Sequence, residues 1–379
     1  MSGRISIDLG SVRIKVAIWR QEEQSSELIR FPPDQLPYFP SVYYLDEKGH
    51  KVFGGDAIQA LAHNPAGGLR NAIKKELCSK RVVAGNGETA RPVDVVHGVL
   101  EIIIEVVRSM QILAGDIPEA ITFCVPREYS VDDKEVLRSA ATKAGVLADK
   151  VSFIDDPVAA VQAWYWATEM DDDQVVILDC GGGSARWSCV RRVAVGRYEI
   201  IPEYSGDERA DLGLIAVSEG ILGRLFGETT HCALGVREQF AKTLDEYFRS
   251  NKPESIIWEI SGRIFPLETI VNLLDERYVA PLSQYLGAFL NKIAAATNNT
   301  STTVLVVGGG AICPELLATL ESVCGANVVW IEDVSEYAAV LGAHVPGESR
   351  IPMEVKKAID TWSRSIDSAI VFAMERVQQ

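Results

Sequence analysis

Runs of apolar residues predict two strand–turn–strand hairpins with similar turns. Apolar residues dominate Ile5–Leu9 and Ile14–Trp19 around the first turn, and Val175–Leu178 leads into the second. Each turn presents a carboxylate, glycine and a hydroxyl in that order: Asp8, Gly10 and Ser11 in the first, and Asp179, Gly181, Gly182, Gly183 and Ser184 in the second. A pattern that recurs after about 170 residues suggests two similar half-molecules, each contributing one hairpin to a shared cleft, with chance recurrence as the alternative.

The residue types in these turns suit a phosphate group. Glycines leave the backbone N–H groups unobstructed, so several of them can point at one anion. A carboxylate just before the glycines suits a hydrated divalent metal. The turns therefore predict a site for a phosphate with its magnesium, whereas the alternative is a hairpin with a loosely structured turn.

Helices and strands alternate between the two hairpins. The pattern predicts a helix over 93–114, a strand at Ala120–Val125, a helix at Asp132–Ala144 and a strand at Val151–Ile154. Asp156 then precedes a proline at the start of the next helix, so capping alone explains this aspartate. Its place at a strand end also allows a role as a polar ligand in a cleft.

Length and composition limit the number of domains and the kinds of partner that the protein can have. The chain has 379 residues, enough for two domains or one two-lobed body. With 37 basic and 52 acidic side chains the net charge is −15, which disfavours nucleic acid and anionic lipid as partners. No apolar run approaches the roughly 18 residues needed to span a bilayer, and the N-terminus lacks a signal-peptide pattern. Seven cysteines without CxxC spacing predict reduced, mostly buried thiols in a cytoplasmic protein.

Several separated motifs resemble one family and occur in its order. They are the two hairpins, FPSV at Phe39–Val42, GDA at Gly55–Ala57 with Asn64 and Pro65, and the run Ile121–Trp164, which includes IDDPVAA at Ile154–Ala160. Together they resemble the ATPase domain of the heat-shock-70 chaperones of the DnaK type, which shares its fold with actin and the sugar kinases. Val304–Glu321 resembles the family's adenosine motif, and the resemblance extends from about residue 4 to 345.

The resemblance implies an α/β, two-lobed actin-like ATPase fold, in which duplicated ribonuclease-H-like halves enclose a central nucleotide cleft. Lobe I would span residues 1–165 and lobe II residues 166–345, with a shortened helical insertion at about 217–300. The few residues after Val345 cannot contain the family's peptide-binding domain. Their apolar positions recur at spacings of three and four and predict one amphipathic helix over 346–379, which packs on the second lobe or docks on another protein.

The resemblance also implies the cofactors, ATP or ADP with Mg²⁺, and a role for each site residue. Asp8 and Asp179 would hold water-coordinated Mg²⁺, Lys74 would orient the attacking water, and Asp156 takes the place of the family's glutamate. Phosphoryl transfer needs mainly positioning and charge neutralisation, so no nucleophilic side chain is required. The residues expected around the nucleotide are Gly10, Ser11, Val12, Gly181, Gly182, Gly183, Ser184 and Arg186 at the phosphates, and Gly308, Gly309, Gly310, Ile312 and Glu336 at the adenosine.

Other residues depart from the family's pattern. Val12 stands where the family has a second phosphate-binding threonine, and Asp156 is shorter than the family's glutamate. Leu214 replaces one glycine of a pair. Ile312 takes the place of an arginine that stacks on adenine, and the loss of that contact should cost on the order of 1 kcal/mol and loosen the preference for adenine.

Arg186 is the largest departure, because the family has an aspartate there that binds a monovalent cation. Strand alternation puts Ser184, Arg186 and Ser188 on one face, so the guanidinium should point toward the phosphates. At about 4 Å a unit charge pair is worth roughly 4 kcal/mol at an effective dielectric of 20. We therefore predict that Arg186 replaces the potassium, giving nucleotide binding that is insensitive to K⁺ with slow or absent hydrolysis. The alternative is that Arg186 turns out into solvent.

Two classes of function fit these features, and the fold does not choose between them. The first is an ATP hydrolase with chaperone-like lobe opening and closing, which works with a separate protein partner or co-chaperone. The second is a catalytically weak or inactive nucleotide-binding scaffold, which includes an actin-like assembly protein. Asp8, Lys74 and Asp179 favour catalysis, whereas Val12, Arg186 and Ile312 favour binding with little turnover. The oligomeric state stays open.

Overall fold

Strands and helices alternate along the chain in a computed structural model. The structure describes residues 3–20, 25–32, 35–46, 48–64, 68–71, 74, 77, 82–83, 89–110, 117–168, 172–227, 234–250, 252–297, 302–324, 327–331 and 334–344. The described residues form two units: one within Met1–Asp171, Arg192–Ile200 and Tyr337–Lys357, the other within Asp172–Arg191, Ile201–Glu336 and Ala358–Gln379. The helix expected over 346–379 lies outside the described residues.

The first unit contains one large mixed sheet with helices and smaller strands around it. Its strands are β1 (Arg4–Leu9), β2 (Arg13–Arg20), β3 (Ser25–Leu28), β4 (Phe39–Pro40), β5 (Val42–Leu45), β6 (Lys51–Phe53), β7 (Gly68–Asn71), β8 (Val82–Val83), β9 (Thr89–Ala90), β10 (Ala120–Val125) and β11 (Val151–Asp155). Its helices are α1 (Gly55–His63), α2 (Pro92–Ser109), α3 (Val131–Lys143), α4 (Asp156–Thr168) and α10 (Ala338–Gly342).

The large sheet has the order β11-β10-β1-β2-β3, and β4 also pairs with β2. β1 and β2 form the antiparallel hairpin that the sequence predicts, while β1, β10 and β11 run parallel. The carboxyl ends of these three parallel strands therefore meet at one edge of the sheet. Ligands of open α/β sheets commonly bind at such an edge.

Helices pack on both faces of this sheet. The side chains of β1 alternate between the two faces. Ile5, Ile7 and Leu9 point into a core with residues of α2 and α3. Ser6 and Asp8 alternate with them and lie on the other face, where Ala17, Cys124, α4 and α10 form a second apolar cluster. The Ser6 hydroxyl donates a hydrogen bond to the Val340 carbonyl of α10 (2.7 Å).

The second unit contains the second mixed sheet. Its strands are β12 (Gln174–Cys180), β13 (Ala185–Ala194), β14 (Arg197–Arg209), β17 (Thr303–Val307) and β18 (Asn327–Val329), with a separate hairpin of β15 (Trp258–Ile260) and β16 (Arg263–Phe265). The end of β13 and the start of β14 lie in Arg192–Ile200, which belongs to the first unit. Its helices are α5 (Leu214–Phe226), α6 (Leu234–Arg249), α7 (Leu267–Leu274), a π-helical turn (Asp275–Val279), α8 (Ala280–Thr297) and α9 (Pro314–Cys324). Among the described residues, no helix is long and apolar enough to cross a bilayer.

The second sheet has the order β14-β13-β12-β17-β18. β12 and β13 are the antiparallel hairpin predicted from the sequence, and β12, β17 and β18 run parallel. When the five strands along the main path of each large sheet are numbered in chain order, both paths have the order 3-2-1-4-5, with the Gly-rich turn between strands 1 and 2. The chain is thus an α/β protein with two mixed sheets, an architecture compatible with two lobes.

Buried thiols are confirmed where the structure describes them. Cys124, Cys180, Cys189 and Cys313 are free and buried. Burial raises the pKa of Cys180 and of Cys189 to about 12. These thiols are consequently protonated and unreactive near neutral pH.

His344 lies against the β1–β2 hairpin. Its Nε2 is 2.9 Å from the Ser6 hydroxyl and 3.3 Å from the Ala17 carbonyl oxygen, and its ring centroid is 6.0 Å from that of Trp19. Burial lowers the pKa of His344 to about 4, and the charge of Arg4 acts in the same direction. The folded protein therefore holds this imidazole neutral.

We expect His344→Gln to make stability less sensitive to acid. An unfolded histidine has a pKa near 6.5, so the unfolded chain takes up the proton first as the pH falls. The stability from neutral His344 is present above about pH 6.5 and is lost between about pH 6.5 and 4, roughly 2 kcal/mol from pH 8 to pH 5. Urea denaturation at these two pH values should show a drop about 2 kcal/mol smaller for His344→Gln than for wild type. The exposed His63→Gln is the control, and equal drops for wild type and His344→Gln would contradict the assignment.

Candidate functional site

The turn of the first hairpin is too tight for a side chain at Gly10. A Cβ there would lie 2.3 Å from the Arg13 carbonyl oxygen, well inside van der Waals contact. The Val12 carbonyl accepts a hydrogen bond from the Ser41 amide (2.8 Å), which ties the turn to the FPSV segment. The Val12 side chain is 43% exposed. The turn is thus held by its backbone, and its tip faces solvent with an apolar side chain.

Asp8 has a cation directly opposite it in the hairpin. Asp8 and Lys15 are cross-strand partners, so their side chains share one face of the sheet. The Lys15 ammonium lies 3.7 Å from Asp8 Oδ2, and each side chain is only 12% exposed. The same ammonium lies 5.6 Å from the centre of the Tyr337 ring. Asp8 is therefore already compensated by a positive charge of the chain itself.

Lys74 and Asp156 form a second ion pair in the first unit. Lys74 Nζ donates to Asp156 Oδ2 (3.1 Å), and the side chains are 15% and 14% exposed. Tyr129, from the segment before α3, donates its hydroxyl proton to the Lys74 carbonyl oxygen (3.1 Å). Asp156 begins α4 directly after the end of β11. The contact joins residues 82 positions apart, which the sequence analysis named separately.

Both ion pairs lie near Cys124, at the edge where the parallel strands end. Cys124 is the register partner of Asp8 in β1. Its burial raises the pKa of the thiol well above the usual value, the Asp8 and Asp156 carboxylates raise it further, and the Lys74 and Lys15 ammonium groups act against them. The four charged groups thus all act on the buried thiol of Cys124. The charges of these two acids and two bases balance one another.

The second turn is stabilised by the start of α5. Within the turn the Gly181 amide donates to the Ser184 carbonyl (3.0 Å), and the Leu214 and Ile215 amides donate to the Gly181 and Gly182 carbonyls (3.2 and 3.0 Å). A helix N-terminus has amide groups without intrahelical acceptors, and here two of them bind the turn. The Gly181 amide is therefore used inside the turn, which leaves Gly182, Gly183 and Ser184 as the candidate anion donors.

Gly213 allows this contact between α5 and the turn. A Cβ at Gly213 would lie 2.3 Å from the Gly183 carbonyl carbon and 2.5 Å from the Ser184 amide nitrogen. Real Cβ atoms are not found this close to backbone. This glycine thus determines how closely the helix approaches the turn.

Arg186 occupies in the second hairpin the place that Lys15 has in the first. Asp179 and Arg186 are cross-strand partners and share one face. Arg186 Nη2 donates to Glu208 Oε1 of β14 (2.9 Å), and the arginine side chain is 23% exposed. The guanidinium is thus bound on the sheet beside Asp179 and does not extend into solvent.

The glycines after β17 lie against the end of β12. Gly308 has φ +92°, and a Cβ there would lie 2.7 Å from Asp179 Oδ1. The Gly310 amide donates to the Cys180 carbonyl (2.8 Å). At Gly310 a Cβ would collide with the Tyr278 hydroxyl, whereas at Gly309 it would meet nothing within 4 Å. Of the three glycines, Gly309 is therefore the one with open space above it.

Ile312 and Glu336 are both buried in the second unit. Ile312 is 7% exposed and belongs to the main apolar core of this unit. Glu336 is 4% exposed, and its Oε2 accepts a hydrogen bond from Arg249 Nη2 (2.8 Å). Arg249 also binds Asp245 within α6. Glu336 is thus held by an arginine that the sequence analysis did not single out.

The structure brings the predicted residues together within each unit. The first unit assembles Asp8, the turn of Gly10, Ser11 and Val12, and the Lys74–Asp156 pair around the end of the parallel strands. The second assembles Asp179, Arg186, the turn from Gly181 to Ser184, and Gly308. Among the described residues, no group of three or more His, Cys, Asp or Glu residues could hold a metal ion.

Sequence reasoning missed Lys15 and Tyr278, and it noted Gly213 only as the remaining glycine of the family's pair, next to Leu214. For Lys15 a signal was present, because it follows Asp8 at the same offset at which Arg186 follows Asp179. Gly213 and Tyr278 act through contacts with residues far away in sequence. Their roles are visible only in the folded chain.

Comparison with known proteins finds distant chaperones. The chain matches no protein-family model. It is 25% identical over 146 residues to the chaperone protein DnaK of Methanothermobacter thermautotrophicus, which covers 38% of this chain and 24% of that protein. It is 24% identical over 169 residues to DnaK of Cenarchaeum symbiosum, a match that covers 45% of this chain and 24% of that protein. For DnaK of Endomicrobium trichonymphae the identity is 22% over 169 residues, and the match covers 45% of this chain and 26% of that protein.

The matched stretch spans about a quarter of the length of these relatives. The match covers about two fifths of the residues of this chain. These matches support an Hsp70-like relationship for that part of the chain.

Proposed function

We propose that this chain binds ATP or ADP in the manner of an Hsp70-type, actin-like ATPase domain. The observation that carries the proposal is the repeated hairpin: two sheets with the same strand order each present an acid and a Gly-rich turn between their first two strands. Such turns are suited to phosphate groups because backbone amides can approach an anion without obstruction. Distant similarity to DnaK chaperones supports the same proposal.

Each group of residues has a role in this proposal. The amides of Gly10, Ser11 and Val12 and those of Gly182, Gly183 and Ser184 would bind phosphate oxygens. Gly309 offers open backbone for a nucleoside, since nothing lies within 4 Å of its Cβ position. Ile312 is buried in the core, so base selection would rest on the glycine backbone and not on a stacked side chain. Adenine preference should therefore be weak.

Mg²⁺ fits this site poorly. Its two expected ligands, Asp8 and Asp179, each have a cation of the chain directly opposite in the hairpin. Mg²⁺ binds through one or two carboxylates together with phosphates and water, and it needs negative charge. A unit charge pair at about 4 Å is worth roughly 4 kcal/mol at an effective dielectric of 20, so the ammonium 3.7 Å from Asp8 offsets much of the attraction. We therefore assign no step to the metal.

We propose that hydrolysis is slow or absent. Lys74 is the residue expected to orient the attacking water, but its ammonium is bound to Asp156, and both side chains are mostly buried. A lysine engaged in this way must leave a partner before it can position a water molecule. This observation favours the second candidate function, a nucleotide-binding scaffold, over an active ATPase.

We further propose a chaperone-like or partner-regulating role in which a protein partner responds to the bound nucleotide. The relatives named chaperone protein DnaK support a protein partner or co-chaperone. Self-assembly of the actin kind is the alternative. Sedimentation of the purified chain with and without ATP would distinguish a monomer from a filament.

Calorimetry beside an ATP hydrolysis assay tests this function. The purified full chain should bind ATP and ADP, with turnover more than about 100-fold below the typical enzyme value of about 10 per second. Lys74→Met should keep ATP affinity within about threefold, because the lysine already has a carboxylate partner, and should remove any residual turnover. Lys143→Met is the matched control, because it removes another Lys–Asp pair of the same unit, that with Asp94 (2.6 Å).

The outcomes separate the two parts of the proposal. No binding of either nucleotide would overturn the proposed function. Binding with turnover of typical enzyme speed, abolished by Lys74→Met, would keep nucleotide binding and replace the scaffold with an active ATPase.

A further inference from the structure

A π-helical turn separates α7 from α8 in the second unit. It spans Asp275–Val279. Such turns are rare, occur mostly as single turns inside α-helices, and are often found at functional sites. Here the turn brings Tyr278 against the glycines that follow β17 and Arg277 against α5. One helical turn thus contacts two segments that belong to the proposed nucleotide site or support it.

Tyr278 is the reason for the glycine at position 310. The tyrosine is fully buried, and its hydroxyl occupies the position that a Cβ of Gly310 would need. Gly308 has a φ in the left-handed region, whereas Gly310 does not. The φ of Gly310 alone would therefore permit other residues, and it is the contact with Tyr278 that requires a glycine there.

The hydroxyl of Tyr278 is buried at a cost in stability. No hydrogen bond satisfies it within the described part of the chain. Its neighbours include the thiols of Cys180 and Cys313, which are weak hydrogen-bonding groups. Burial raises the pKa of Tyr278 well above its ordinary value, and both thiols act in the same direction, so the phenol keeps its proton. Phenylalanine would fill the same space without burying an unsatisfied donor.

An acceptor for this hydroxyl is present at the end of β12. The Cys180 carbonyl oxygen lies 3.1 Å from the same Cβ position of Gly310, and it accepts a hydrogen bond from the Gly310 amide (2.8 Å). A carbonyl oxygen has two lone pairs, so it can accept a second hydrogen bond from Tyr278. Cys180 directly precedes the turn from Gly181 to Ser184. A small shift would therefore connect the tyrosine to the start of the proposed phosphate turn.

The π-helical turn also packs against the helix that holds this phosphate turn. A Cβ at Gly220 of α5 would lie 2.7 Å from Nη1 and 3.3 Å from Cδ of Arg277, so the arginine lies directly across α5. The first amides of α5 bind the turn from Gly181 to Ser184. The π-helical turn thus fixes the position of Tyr278 relative to both proposed ligand segments.

We infer that Tyr278 is a positioning residue for the nucleotide, and this inference rests on the nucleotide binding proposed above. When a nucleoside lies against Gly309, the glycines move toward Cys180 and the Tyr278 hydroxyl donates to the Cys180 carbonyl. The hydroxyl is unsatisfied without nucleotide and satisfied with it. Its hydrogen bond therefore contributes to affinity and not to the stability of the nucleotide-free protein, whereas a purely structural tyrosine would contribute to stability.

Tyr278→Phe tests the inference through ATP calorimetry and thermal unfolding without nucleotide. The variant should bind ATP about five- to tenfold more weakly, the effect of one hydrogen bond, and should unfold no earlier than wild type. At saturating ATP, hydrogen exchange should show less protection of residues 308–310 in the variant. Tyr44→Phe is the matched control, because Tyr44 is also buried but its hydroxyl already donates to the Asn64 carbonyl (2.9 Å). This control should lose stability and keep its ATP affinity.

A double variant tests the contact between Tyr278 and Gly310. Gly310→Ala should lower the unfolding temperature, because its methyl group meets the Tyr278 hydroxyl. Adding Tyr278→Phe removes that oxygen, so the double variant should regain part of the loss. Absence of any recovery would overturn the contact on which the inference depends.

The remaining outcomes separate the inference from the proposed function. Loss of both affinity and stability in Tyr278→Phe would give the tyrosine a structural role and overturn the inference. An ATP affinity equal to that of wild type would overturn it as well, and either result leaves nucleotide binding intact. Absence of ATP binding to wild type would instead overturn the proposed function itself.

Discussion

Gly213→Ala is expected to weaken ATP binding by at least about 30-fold while the protein still folds. The new Cβ would lie 2.3 Å from the Gly183 carbonyl carbon and 2.5 Å from the Ser184 amide nitrogen. Both atoms are backbone, so no side chain can rotate away to make room. Either α5 retreats and loses the bonds from the Leu214 and Ile215 amides, or the turn itself moves. In both cases the amides proposed to bind phosphate no longer converge.

Calorimetry with ATP measures this effect, and circular dichroism checks the fold. Gly223→Ala is the matched control, because it adds the same methyl group to the same helix where nothing lies within 4 Å. An alanine inside a helix should stabilise it by up to about 1 kcal/mol, so the control should bind ATP normally and unfold no earlier. Unchanged ATP affinity in a folded Gly213→Ala would exclude the turn from Gly181 to Ser184 as a phosphate site.

Gly342→Ala is expected to lower the free energy of unfolding of the first unit by at least about 3 kcal/mol. Gly342 ends α10, and a Cβ there would lie 1.8 Å from the Ala159 carbonyl oxygen of α4. The two helices form the apolar cluster that covers one face of the sheet, together with Ala17 and Cys124. Because the obstacle is a carbonyl of a regular helix, the methyl group can be accommodated only by separating the helices. That separation removes apolar contacts as well as relieving the collision.

Urea denaturation followed by circular dichroism measures this loss. Gly287→Ala serves as the control, since it lies inside α8 and its added Cβ would meet nothing within 4 Å. The control should be neutral or slightly stabilising. A Gly342→Ala protein as stable as wild type would show that α10 does not pack as closely on α4 as described here.

The hairpins were predictable because their signals are local. Apolar runs that end in Asp8 or Asp179 and a Gly turn determine strand, turn and strand within about 16 residues each. The strand order was not predictable by such reasoning, because β10, β17 and β18 join their sheets through parallel pairs that need long crossovers.

The candidate site was predictable in its residues and not in their pairing. The sequence analysis named Lys74 and Asp156 separately, but their ion pair depends on how the chain folds between two positions that are 82 apart. Glu336 was expected near adenosine, yet nothing in its local sequence indicates its bond to Arg249, 87 positions earlier. Arg186 is a third example. The alternation of side chains along a strand predicts the face of the sheet on which Arg186 lies, but it does not predict the hydrogen bond from Arg186 to Glu208.

The position of α10 in the chain has a consequence for synthesis. Ser6 of the first strand bonds to Val340, and Cys124 bonds to the Ala339 carbonyl, across more than 200 residues in each case. A ribosome that has made β1, β2, β10 and α4 has not yet made the helix that covers their shared apolar face. Domains usually fold as they emerge, from the N-terminus onward. Here the nascent chain carries an uncovered apolar surface until translation has passed residue 342, and such a surface favours aggregation during that interval.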